Sequence, residues 1–394
     1  MRDGKRRWLP LILAALVVSC SEDPTEENAL LAPLPFLNVA ARETTITATS
    51  ATTFRQYYPM NSSINLVGKS GDYTAISALA FYSNFFPVRD TVNVLSGRLT
   101  LRAASFFGDS TAPFGFTVHR INRTWTAGLA TWDSLQLGFY DPSLTRGTYS
   151  GFVGADTEKI VVDLDTAMVR EWLRTAGTDN ADTKYGIVLV PTPGTNVVRG
   201  FYPFEADSTK DLPTLEIIAA NTSGTVKDTA LYTSGIDTFF GNNENVNTRQ
   251  DLMYLQAGIL YRTVVKFDVG FIPKGSAIHL AELLVESDPL TSKLNRFSGD
   301  RAFNAHAMVA DSATGAFESS AATGAPKSGT DQTYAADVHT TVQSWVRGPN
   351  HGLMLRVAGE QEFRSFDLLT FYGPTAANAA QRPRIRILYS TPQN

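Results

Sequence analysis

The sequence predicts an all-β protein built as two tandem antiparallel β-sandwich domains, jelly-roll-like, each with one short helix. Three observations carry this. Short alternating or β-branched runs, broken by Gly, Asn, Asp and Ser, dominate the chain. Helical apolar spacing is confined to residues 166–174 and 337–347. A set of landmarks occurs twice in the same order.

The chain has 394 residues, enough for two domains with full cores, and its 43% hydrophobic and 18% charged content is that of a globular protein. Arg2, Lys5, Arg6 and Arg7 precede an apolar stretch at residues 9–18, and Val17, Val18 and Ser19 lead into Cys20. That order is a signal peptide over residues 1–19 ending in a lipobox. The apolar stretch is about half the length of a membrane-spanning helix, so cleavage and lipidation of Cys20 are predicted, with acyl chains sufficient for stable anchoring. Ser21 follows where an inner-membrane retention signal has Asp, which favours the outer membrane. Cys20 is the single cysteine, so the folded part contains no intramolecular disulfide.

Residues 20–44 mix acids, apolar residues and Pro24, Pro33 and Pro35 without a repeating face, and are predicted to form a tether reaching about 80 Å when extended. Strands are predicted at 97–102, 114–121, 159–164, 186–190, 263–269 and 384–389. Parallel α/β architecture needs a helix between most strands, and those helices are missing.

The duplicated landmarks set the domain boundaries. Val169 and Trp172 match Val342 and Trp345 as V-x-x-W; Gly186 opening GIVLV matches Gly352 opening GLMLRV. Tyr202 and Pro213 match Tyr372 and Pro383. Phe116 and His119 match Phe303 and His306 at an offset of 187, against 166 to 173 for the others. These place domain one at residues 45–221 and domain two at 222–394, with Asn221 to Gly224 (NTSG) as the linker region.

The runs VHRINRTWTAGLATW at 118–132, VQSWVRGPNHGLMLRV at 342–357 and RPRIRILY at 382–389 resemble the DNRLRE-type secreted β-sandwich domains, which are similar to certain carbohydrate-binding modules. The second half lacks the Trp and T-W elements, Phe317 being its only aromatic in that stretch. A lipobox and acidic tether before such domains are also similar to uncharacterised surface lipoproteins of Gram-negative bacteria. The resemblance implies a non-enzymatic binding or adhesion lipoprotein of the cell envelope, facing the periplasm or the exterior. Its implied partners are a polysaccharide or another envelope protein.

Residue chemistry narrows the function. Net charge is −4, and loss of the +3 carried by the first seven residues leaves an acidic body without basic clusters, which excludes nucleic acid as a partner. No H-E-x-x-H, C-x-x-C, P-loop, G-x-G-x-x-G or G-x-S-x-G is present, so no enzyme is predicted. Histidines 119, 279, 306, 339 and 351 lack metal-ligand spacing; His119 and His306 point to a shared packing or hydrogen-bonding role. Asp163 with Asp165, and Glu205 with Asp207, are the carboxylate pairs a glycosidase would need, though solvent-facing acids are the commoner origin of such pairs.

Trp125 and Trp132 are the candidate ligand-binding residues, because their flat apolar rings complement the C–H faces of sugars, although core packing is the favoured role for both. Trp172 and Trp345 lie on amphipathic helices and belong to the cores. No cofactor is required. Asp179 and Asp182 with Asn180, and the Asn242 to Asn245 run, offer oxygen ligands for a structural calcium ion, although Asx turns use the same residues.

Overall fold

A computed structural model describes residues 39–56, 64–81, 92–127, 130–135, 138–154, 158–175, 186–204, 211–243, 249–294, 301–311, 316–327 and 332–392. Cys20 and the signal peptide lie outside the described residues, as do Asp179, Asn180, Asp182, Glu205 and Asp207.

In chain order the strands are β1 (Val39–Thr47), β2 (Ser50–Arg55), β3 (Asn65–Ser70), β4 (Tyr73–Phe81), β5 (Asn93–Gly108), β6 (Pro113–Arg120) and β7 (Gly147–Phe152). There follow β8 (Lys159–Leu164), β9 (Gly186–Pro191), β10 (Val197–Phe201), β11 (Thr214–Ala220), β12 (Lys227–Asn243), β13 (Leu252–Gln256) and β14 (Tyr261–Lys266). The last seven are β15 (Ala277–Glu286), β16 (Phe303–Ala307), β17 (Ala322–Pro326), β18 (Thr333–Asp337), β19 (Leu353–Val357), β20 (Leu368–Tyr372) and β21 (Arg384–Pro392). The α-helices among the described residues are α1 (Trp132–Leu135), α2 (Thr166–Thr175) and α3 (His339–Arg347).

The fold is all-β, with the strands in two large antiparallel sheets of ten and eleven members. β8 shows why these residues make strands: in KIVVDL the buried positions Ile160, Val162 and Leu164 alternate with exposed ones, so one face meets the core and the other meets water. The first sheet encloses a core built from Phe114, Phe116, Leu99, Leu101, Leu215 and the helical Trp172. The second encloses its own core, with Phe303, Phe371, Leu283, Ile385 and Trp345. Each long helix turns its apolar stripe onto the equivalent strand of its unit, α2 onto β5 and α3 onto β15.

The pairings of the second sheet repeat those of the first. β3 pairs with β4 and β10, as β13 pairs with β14 and β20. β6 lies between β7 and β9, as β16 lies between β17 and β19. β5 pairs with β8 and β11, as β15 pairs with β18 and β21. The register is shared too: His119 faces Val188 and His306 faces Met354, each partner lying two residues after the glycine that precedes or opens its strand.

Three expectations need correction. Residues 39–44, expected in the tether, form most of β1, which pairs along its whole length with β21. Its Ala41, Arg42 and Glu43 are exposed, so it shows no apolar alternation; a long-range ladder holds it. Asn221 to Gly224 is not a linker between units but the turn of the β11–β12 hairpin: Asn221 Oδ1 accepts from the Thr225 and Val226 amides, and Gly224 adopts φ 71°. Consequently the sheets do not divide the chain at 221/222. β12 joins the first sheet, on β11 and β4, while β1 and β2 join the second, on β21 and β14.

The two units meet through a cluster of Tyr73, Phe107, Val198 and Phe239 from the first with Ile259, Leu260 and Phe366 from the second. Phe366 stacks on Tyr73 at 5.9 Å and meets Phe107 edge-on. Gly258, at φ 70°, is required there, since a Cβ would stand 2.5 Å from the Ser365 carbonyl oxygen.

Candidate ligand-binding groove

Repeat-equivalent positions differ most where α2 and α3 face their sheets. In the first unit Arg120, the last residue of β6, reaches Glu171 on α2 with Nη1 2.5 Å from Oε2. Arg120 pairs with Ile187 in the ladder, and Glu171 directly precedes Trp172. The corresponding residues of the second unit are Ala307, paired with Leu353, and Ser344, directly before Trp345. A long ion pair is thereby replaced by a methyl and a hydroxymethyl group.

The connection that follows is also shorter, residues 308–321 standing where the first unit has 121–146. A groove of about 620 Å3 opens at these positions in the second unit. Ala305, Ala307, Met308 and Trp345 give it apolar walls, while Ser344, Thr340, Thr341, Asp337, Glu318 and His351 supply hydroxyls, carboxylates and an imidazole. The lining is mixed, so a ligand would meet hydrogen-bonding groups as well as an apolar floor.

The rim is organised by ion pairs. Asp311 accepts from Lys266 Nζ at 2.6 Å and lies 3.4 Å from His351 Nδ1; the Lys266 hydrogen bond is the main cause that holds its pKa below the ordinary carboxylate value. Asp337 Oδ1 accepts from the backbone amide of His339, the first residue of α3, and lies 2.9 Å from its ring Nδ1.

Behind the sheet, on the face away from the core, a buried charged network fixes β16 and β19. Glu362, fully buried, accepts from Arg262 Nε at 2.7 Å and Nη2 at 2.9 Å, and from Arg356 Nη1 at 2.6 Å. Arg356 Nε donates to His306 Nε2 at 3.0 Å, which requires that nitrogen to be unprotonated. His306 Nδ1–H therefore donates to the Glu318 carbonyl at 2.9 Å and ties the groove wall to the strand. Burial first, then the guanidinium of Arg356, lowers the His306 pKa below 6.5. His119 occupies the equivalent position: its Nδ1 lies 3.1 Å from both the Asp141 and Leu144 carbonyls, and burial lowers its pKa as well. The shared hydrogen-bonding role read from the F-x-x-H landmark is what both rings perform.

The sequence-derived candidates fall elsewhere. Trp125 is buried against Phe139, edge to face at 6.0 Å, within a cluster holding Ile121, Leu135 and Phe240. Neither ring face is open to a sugar, because the longer 121–146 connection folds back and uses the indole as its own core. Trp132 opens α1 and is half-buried against the same cluster. Trp172 and Trp345 are core residues as expected. Asp163 is held by Arg98 at 3.0 Å and Asp165 by Arg146 at 2.5 Å, so each carboxylate is neutralised by its own arginine. Asn242 accepts from Arg55, and among the described residues no three His, Cys, Asp or Glu side chains converge as metal ligands.

No protein-family model and no curated protein matches the chain. No described helix is long and apolar enough to cross a membrane.

The signal that could have found the groove was present in the repeat alignment. Extending the F-x-x-H match by one residue sets Arg120 against Ala307, and the second variable position of V-x-x-W sets Glu171 against Ser344. Only the fold shows that those two positions face each other.

Proposed function

We propose that this chain is a non-enzymatic binding lipoprotein of the bacterial envelope, anchored through Cys20, whose second unit holds a hydroxylated ligand such as a polysaccharide segment. Both units are read as jelly-roll-like sandwiches of the DNRLRE-type group. The repeated pairing pattern and the motifs at 118–132, 342–357 and 382–389 support that reading. The n-region, apolar stretch and small residues before Cys20 support the anchor, and the Pro-rich acidic run behind it supports a tether that ends where β1 begins.

One observation carries the binding role: Ala307 and Ser344 line a groove at the positions where the first unit has the Arg120–Glu171 ion pair. Its hydroxyls and carboxylates suit hydroxyl donors, and its apolar floor suits the C–H faces of a pyranose. Glu318 and Asp337 make it acidic, so neutral glycans are preferred over uronate-rich or sulfated ones.

The mature chain from Ser21, made without its anchor, should be retained on an insoluble neutral glycan. The double variant Ala307→Arg with Ser344→Glu, which copies the first unit, should fold and lose retention. Trp125→Phe should leave retention unchanged. Failure of the parent chain to be retained on any neutral glycan would overturn the reading. In that case the second reading, an envelope spacer or assembly component without a small ligand, is favoured by the apolar cluster that fixes one unit against the other.

A further inference from the structure

We propose that the slot between β21 and β14 is a strand-acceptor site, filled within one chain by residues 39–55 and open to the same segment of a second copy of this chain. The inference does not rest on the groove.

The first unit shows what the slot takes. β12 runs along β11 through Thr233, shifts register at Ser234, and continues along β4 to Asn243. In the second unit the same path is covered by two strands: β1 runs along β21, the chain breaks step at Ala48 and Thr49, and β2 continues along β14. The break is held identically, by the Ser234 amide on the Pro213 carbonyl at 3.0 Å and the Ala48 amide on the Pro383 carbonyl at 2.8 Å. Thr233 faces Thr214 as Thr47 faces Arg384, and Phe239 faces Ser77 as Thr53 faces Thr263. Residues 39–55 and 227–243 are thus equivalent segments, and each completes the unit made mainly by the other half of the chain.

The two slots are filled by different routes. β12 is delivered by a hairpin from its neighbour β11, with the Asn221 turn setting the register. β21, the last strand among the described residues, takes its partner β1 from the far end of the sequence. The contacts are specific. Glu43 pairs with Arg386 at 2.5 Å, Thr53 Oγ1 lies 2.8 Å from Thr263 Oγ1, Gln56 accepts from Arg262, and Ile46, Ala48 and Ala51 pack into the second core. Every one of these bonds is reproduced if the strand comes from another copy, because only the connection to β3 changes; that is the condition for strand exchange between protomers.

The test uses the full mature chain from Ser21, which has no cysteine of its own. Thr45 and Arg386 are exposed register partners. One chain carrying both Thr45→Cys and Arg386→Cys should form an intrachain disulfide. The two single variants, unfolded and refolded together, should form a mixed disulfide that grows with protein concentration and exceeds both homodimers severalfold. The same variants mixed after folding should not form it. Intrachain linkage without any mixed disulfide at high concentration would overturn exchange between copies, and absence of the intrachain link would overturn the slot itself.

Discussion

Glu362 illustrates how a single buried charge commits its surroundings. Two guanidinium groups, from Arg262 and Arg356, are neutralised by this one carboxylate, and Arg262 itself is almost fully buried. Glu362→Gln leaves them under-compensated, and the expected loss is about 3–5 kcal/mol, read as a lower midpoint of urea unfolding. His306 and His119 add a pH dependence. Both have folded pKa values below 6.5, with burial the first cause, so between those values and 6.5 the unfolded chain binds more protons than the folded one. Stability is therefore complete above about 6.5 and falls as the solution is acidified below it, by at most ~1.4 kcal/mol per pH unit for each histidine. His306→Gln should flatten that slope in unfolding measurements between pH 7 and 5; an unchanged slope in both single histidine variants would rule the assignment out. Tyr73, whose pKa burial pushes up to about 12, should ionise late in an alkaline absorbance titration.

At the scale of elements, the two short helices were legible from sequence because their apolar residues must meet a core. The spacing at 166–174 gave α2 to within one residue, and that at 337–347 gave α3 two residues early, since Asp337 ends β18 and Val338 is the N-cap. Trp172 is fully buried and Trp345 nearly so; replacing either with Ala should cost about 3–5 kcal/mol in chemical unfolding. α2 also depends on Gly97 of β5, where an added Cβ would stand 2.7 Å from Val169 Cγ2. Gly97→Val should displace the helix and destabilise by about 1–3 kcal/mol, whereas Val161→Thr, on the exposed face of β8, should be close to neutral. β1 was not legible, because an exposed end strand with Arg42 and Glu43 has the composition of a linker. Trp125, for which core packing was the favoured role, is buried in a cluster with Phe139, though its local sequence would be the same whether a ligand or its own loop covered the indole.

Over the whole molecule, two separate cores are coupled by the Tyr73, Phe239 and Phe366 cluster and by the crossing of β1, β2 and β12 between halves. Neither unit is complete without a segment of the other half. Urea unfolding followed by circular dichroism and by hydrogen exchange in β5 and β15 should give coincident transitions; two well-separated steps would show that the units are independent. Phe366→Ala, which empties the centre of the shared cluster, should lower stability by about 3–5 kcal/mol and begin to separate the two transitions.

The sequence by itself determined the strand-dominated class, the order and period of most elements, the twofold recurrence of landmarks and the two core tryptophans. These depend on local periodicity and burial preference, which each segment carries within itself. Tertiary structure decided which segments complete which sheet, that NTSG is a hairpin turn, that Trp125 is enclosed, and that the groove lies where Ala307 meets Ser344. Each of those depends on residues far apart in the chain meeting in space, and pairing across such distances is set by the packing of the whole fold.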